Sequence, residues 1–92
     1  MNQPPAIING GTVVYWSWSD RIPFCEIKGQ RIVGLAVCQQ EDSHSVLRYA
    51  CDADWKVYDE LPFKDVEVAK VGKSPLYDIN TVAWRIAPIP TE

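Results

Sequence analysis

Thr12-Val13-Val14-Tyr15-Trp16-Ser17-Trp18 is the stretch that decides the fold class. Read at a period of two, Val14, Trp16 and Trp18 share one face, and Val13, Tyr15 and Ser17 share the other. β-branched and aromatic residues in strict alternation specify a strand. Asn9-Gly10-Gly11 before it is a turn signal, and Ser19-Asp20-Arg21 with Pro23 closes it. Ala6-Ile7-Ile8 reads as a short edge strand on the far side of that turn.

Downstream, Phe24 to Lys28 reads as a second strand, closed by Gly29. The third, Arg31 to Gln39, has a middle that is apolar on both faces, as in a central strand covered on both sides. A polar hairpin loop at 39–44 leads into the fourth strand, Ser45 to Asp52, where Leu47, Tyr49 and Cys51 share a face and Arg48 points the other way. Asp52-Ala53-Asp54 is a turn. Trp55 to Leu61 is the fifth strand, with Trp55 and Val57 inward, and Pro62 stops it. These last three strands form a meander.

Lys64 to Val71 carries two patterns. Val66 and Val68 alternate like a strand, while Val66 with Ala69 makes a helical stripe. Lys70 and Gly72 sit where a helix end prefers them, and a short helix over about 64–71 is favoured. Residues 74–80 read as a connecting loop. Thr81 to Ala87 reads as the last strand, with Val82, Trp84 and Ile86 on one face. The sum is an α+β domain that is mostly β: a bent antiparallel sheet of five to six strands with at most one short helix. Residues 1–92 make a single domain, with loose tails at 1–5 and 88–92.

A chain of 92 residues buries only about 60–65% of the surface its unfolded form exposes. Its four Trp, four Tyr and two Phe therefore carry much of the core. Nine Lys and Arg against twelve Asp and Glu give a net charge of −3, and no two basic residues are adjacent in sequence. That argues against a nucleic-acid partner, whose phosphates reward a basic excess. Cys25, Cys38 and Cys51 are odd in number and contain no C-x-x-C pair, which argues against a disulfide framework and a structural zinc site. The start of the sequence lacks a basic region and a long apolar stretch, so neither a signal peptide nor a membrane span is expected, and the cytoplasm is the default compartment.

The chemistry-bearing residues are sparse. His44, the single histidine, lies in Glu41-Asp42-Ser43-His44-Ser45, too compact a set for triad geometry, and reads as a hydrated loop residue. Asp52, Asp54, Asp59 and Glu60 lack the spacing of a calcium loop, and Asp52 and Asp54 are explained as turn residues. Gly72-Lys73-Ser74 lacks the upstream glycine of a phosphate loop. No catalytic residue, metal ligand or cofactor is assigned. Tyr15-Trp16-Ser17-Trp18 is the most unusual segment, and its aromatics read either as core or as an exposed platform.

Leu47-Arg48-Tyr49-Ala50-Cys51-Asp52-Ala53-Asp54-Trp55-Lys56-Val57, then Val66 to Val71, then Val82-Ala83-Trp84-Arg85 resemble small bacterial proteins of the mobile, integron gene-cassette type. The most specific part is Cys51-Asp52 with Trp55 and Val57. The resemblance covers under half the chain and implies no activity or site residue.

Two binding readings follow. The first is a non-enzymatic interaction protein, self-associating through an aromatic strand such as Thr12–Trp18, with a homo-oligomer or another protein as partner. An inhibitor offering its acidic loops to a basic partner is a variant of it. The second is a small-molecule-binding module lined by Tyr15, Trp16, Trp18, Tyr49 and Trp84, with Arg48 or Arg85 as a polar handle. An enzyme using Cys25, Cys38 or His44 ranks third, because nothing in the sequence places a base beside a nucleophile.

Overall fold

A computed structural model describes residues 2–41 and 43–87. It is a curled antiparallel sheet with one short helix. Two hairpins open the chain. β1 (Ile7–Ile8) turns into β2 (Gly11–Trp18) through Asn9-Gly10, both at positive φ (47° and 83°). This is the two-residue turn whose twist matches the flanking strands, and Asn-Gly tolerates it best. β3 (Cys25–Ile27) turns into β4 (Gln30–Ile32) through Lys28-Gly29 in the same way, and the pair forms a separate two-stranded sheet.

The expected third strand is divided. Val33 separates β4 from β5 (Gly34–Gln40), and only β5 enters the main sheet. There β5 is the fully covered strand that its two apolar faces demand: Leu35, Ala36, Val37 and Cys38 are completely buried. β6 (Val46–Cys51) and β7 (Val57–Phe63) follow as antiparallel neighbours, which completes the expected meander. β7 begins two residues later than the sequence suggests and runs through Pro62, opposite Leu47. An outer strand tolerates proline because one row of its amides has no sheet partner to lose.

β2 holds one surprise. Val13 pairs with Cys38 and Tyr15 with Val37, so Val14 is an extra, bulged residue. The bulge reverses the alternation upstream of it. Val13, not Val14, joins Trp16 and Trp18 on one face. Both edges of β2 are occupied. β5 lines one edge; β1 and the two-residue β8 (Arg85–Ile86) share the other. The last strand is thus much shorter than the expected Thr81–Ala87. Ile79–Thr81 forms a 3-10 turn capped by Asp78, and Ile86, expected inward, is 74% exposed.

The helix α1 (Val66–Val71) forms as favoured, two residues inside the expected start. The Asp65 side chain caps it by accepting from the Val68 amide at 2.8 Å, and Ala69 is its buried residue. Gly72 ends the helix in an extended conformation (φ −65°), not in the left-handed one common at helix ends.

The two faces of the sheet are covered differently. One face packs against α1, the 77–84 segment and the β3–β4 hairpin, through Leu35, Val37, Val46 and Ala50. The other curls around Ile8, Val13, Trp16, Ala36, Cys38, Tyr49, Cys51 and Trp55. The Asn2 side chain reaches across to donate to the Ala53 carbonyl at 3.2 Å. Among the described residues, no helix is long and apolar enough to cross a membrane. Of the tails expected to be loose, residues 2–5 are irregular, and 88–92 lie outside the described residues.

Candidate functional site

The seven residues singled out in the sequence do not converge on one site. Trp16, Trp18 and Tyr49 do meet, inside the curl of the sheet, where Trp55 joins them. The Trp16 and Trp55 rings meet edge to face at 6.3 Å, and Trp18 lies 5.6 Å from Trp55. Tyr15 is on the opposite face beneath α1, with the Lys70 ammonium 4.1 Å from its ring centre. Trp84 also lies on that side, donating its indole N–H to the Lys70 carbonyl at 2.9 Å. Arg85 is exposed, with its guanidinium carbon 5.4 Å from the Trp16 ring centre.

Arg48 is no handle for a ligand. It is 1% exposed, between sheet and helix. Its Nε donates to the Tyr77 hydroxyl at 2.8 Å, and one Nη donates to the carbonyls of Ala69 and Gly72, both at 2.7 Å. The guanidinium also lies 4.8 Å from the Phe63 ring centre and 5.3 Å from that of Tyr77. Carbonyls left unpaired at a helix end are partners for a cation. Arg48 therefore ties the end of α1 to β6.

The interior is chemically quiet. Burial pushes the Cys38 and Cys51 thiols up to about 12. Cys25 is raised as well, by burial and then by the Asp59 carboxylate. A thiol raised in this way is little ionised near neutral pH and is a poor nucleophile. His44 stands exposed on the 41–45 loop. One Asp52 carboxylate oxygen accepts from the amides of Asp54 and Lys56 at 2.9 and 3.0 Å, so it serves the turn. The indole N–H groups of Trp16, Trp18 and Trp55 are buried without a hydrogen-bond partner among the described residues.

Two of the clefts among the described residues lie at the end of β2. Trp18 stands between two clefts, one of about 550 Å³ and one of about 340 Å³. Trp18, Pro23 and Phe24 give the larger cleft an apolar wall, and Ile22, 77% exposed, forms part of its rim. Ser17, Ser19, Asp78 and Thr81 supply its polar groups. The smaller cleft has Asp20, Asp52 and Asp54 around it, and Arg31, whose Nη2 already donates to the Asp20 carbonyl at 2.8 Å.

Of this set, Trp18 alone is a site residue that the sequence singles out. Ile22 and Phe24 lie in or beside a segment read as a strand break, and Asp78 in one read as a connecting loop. One signal was available: Asp is a preferred capping residue, and Asp78 stands at the start of the turn that it caps. No family model, curated protein or solved structure matches this chain.

Proposed function

We propose that this chain is a non-enzymatic protein that binds a small molecule in the larger cleft beside Trp18. The observation that carries the reading is the cleft itself. About 550 Å³ falls within the range of roughly 300–1,000 Å³ of small-molecule sites, which combine apolar walls with a few placed polar groups. Trp18 and Phe24 supply the former, Asp78 and the hydroxyls the latter. With no activated thiol in support, a binding role is favoured over a catalytic one. Free Cys25, Cys38 and Cys51 are consistent with the reducing cytoplasm, which we propose as its compartment.

The test is a titration of ¹⁵N-labelled protein with 1-naphthylmethanol, a flat neutral probe. The Trp18 indole signal and the Ile22 and Phe24 amides should shift together, and Ile22→Ala should weaken binding several-fold. An unchanged spectrum at millimolar probe would refute the reading.

Self-association is the second reading, moved away from β2, whose edges are both occupied. What favours it is the outer edge formed by β1 and β8, where Ile7 is 55% and Ile86 74% exposed. A dimer through this edge predicts a doubled mass in sedimentation at micromolar concentration, abolished by Ile86→Lys. A monomer at all concentrations would remove it.

A further inference from the structure

Three of the four polar side chains of the larger cleft, those of Ser19, Asp78 and Thr81, share one property. Ser19 donates its hydroxyl proton to the Ile22 carbonyl. Thr81 donates its own to the Asp78 carbonyl at 2.7 Å. Both hydroxyls therefore present lone pairs and no proton to the cleft. Asp78 is acceptor-only as a carboxylate. One of its oxygens takes the Asn80 amide at 3.0 Å, which leaves acceptor capacity on the carboxylate. Trp18, the indole in the wall, has its N–H buried out of reach. No lysine or arginine lines this cleft among the described residues. On the far side of Trp18, three aspartates face one arginine. An anion or a pure acceptor finds few donors here and meets an unfavourable field, whereas a cationic donor is welcomed by both.

We infer that the ligand is a protonated amine carrying a flat apolar body. Its body lies against Trp18 and Phe24, and its ammonium faces Asp78 and the lone pairs of Ser19 and Thr81. This inference rests on the binding reading above and adds the chemical class of the ligand.

Three probes with one aromatic body separate the two claims: 1-naphthylmethylamine, 1-naphthylmethanol and 1-naphthoate, each titrated by calorimetry and by the Trp18 indole signal. The amine should bind several-fold more tightly than the alcohol, and the carboxylate more weakly than either. Asp78→Asn should bring the ratio of amine to alcohol affinity close to one. Asparagine caps a helical turn as well as aspartate does, so this variant keeps its fold. Added salt at 0.5 M should shrink the preference, because Asp78 is exposed and its charge is screened. Equal binding of all three probes, or a preference that survives Asp78→Asn, overturns the amine assignment and leaves the cleft as a site. Binding of none overturns the site itself.

Discussion

At the scale of single residues, Arg48 is the group on which most depends. A buried guanidinium holding two helix-end carbonyls and a tyrosine hydroxyl has no equivalent in lysine, which lacks the planar fork and the stacking surface. Arg48→Lys should cost about 2–4 kcal/mol, since hydrogen bonds to a charged group contribute about 1.5–3 kcal/mol each and the freed carbonyls stay buried. Urea denaturation followed by tryptophan fluorescence measures it; a loss below about 1 kcal/mol would mean that Arg48 contributes no more than a surface pair.

The buried thiols set a pH dependence. In the unfolded chain they ionise around pH 9.0, the ordinary value, and in the folded chain only near about 12. Folding holds the proton on, so this contribution is complete below pH 9 and is lost as the pH rises toward 12. Burial raises Tyr49 and Tyr77 too, in the same direction. Denaturation midpoints should fall steadily above pH 9, and Cys38→Ala with Cys51→Ala should flatten the decline. A midpoint constant to pH 11 would contradict the burial of these groups.

Among the elements, the β2 bulge and the close approach of Trp55 to β5 fix how the aromatic interior packs. A Cβ at Gly34 would stand 2.8 Å from the Trp55 ring. Gly34→Val should therefore push Trp55 out of its packing with Trp16 and Trp18, costing about 1–3 kcal/mol as an overpacked core does. Near-UV circular dichroism, sensitive to the mutual orientation of the indoles, should lose intensity. An unaltered spectrum would show that the ring has room to spare.

The same elements show where the sequence stops being readable. Alternation of residue types made β2, β5 and β6 evident, and the apolar run of β5 announced its burial. A bulge leaves no trace in alternation, so Val13 and Val14 were exchanged between faces. The 81–87 segment looked like a strand because Val82, Trp84 and Ile86 alternate. Only tertiary context makes it a 3-10 turn, an irregular stretch and two paired residues. The site was less legible than the fold. Its walls come from three separate segments, around Ser17–Ser19, Ile22–Phe24 and Asp78–Ala83, brought together by the return of the chain to β2. Trp16 and Tyr49, which the sequence groups as lining residues, meet as core. Arg48 and Arg85 look alike as polar handles, and only packing separates a buried strut from a surface charge.

For the whole molecule, the question left by the sequence was what covers the aromatic strand. The answer has three parts: β1 and β8 along its edge, the curl of the sheet over its tryptophan face, and α1 over Tyr15. The outer edge of β7 guards itself with Asp59, Glu60 and Pro62, residues that discourage strand addition.

The sharing of one edge of β2 by β1 and β8 has a consequence for the connectivity of the chain. Ile7 sits opposite Thr12 and Ile86 opposite Tyr15, so two segments almost eighty positions apart in sequence come to rest nearly end to end. Joining residue 87 to residue 6 through a short glycine-rich linker and reopening the backbone at the exposed Ser43–His44 turn would give a circular permutant in which every strand pairing is kept. Its spectra and naphthyl-probe binding should match those of the parent. In it, the β2–β8 pairing becomes local, but the larger β5–β6 pairing, opened by the new termini, becomes the most distant in sequence, so refolding should slow.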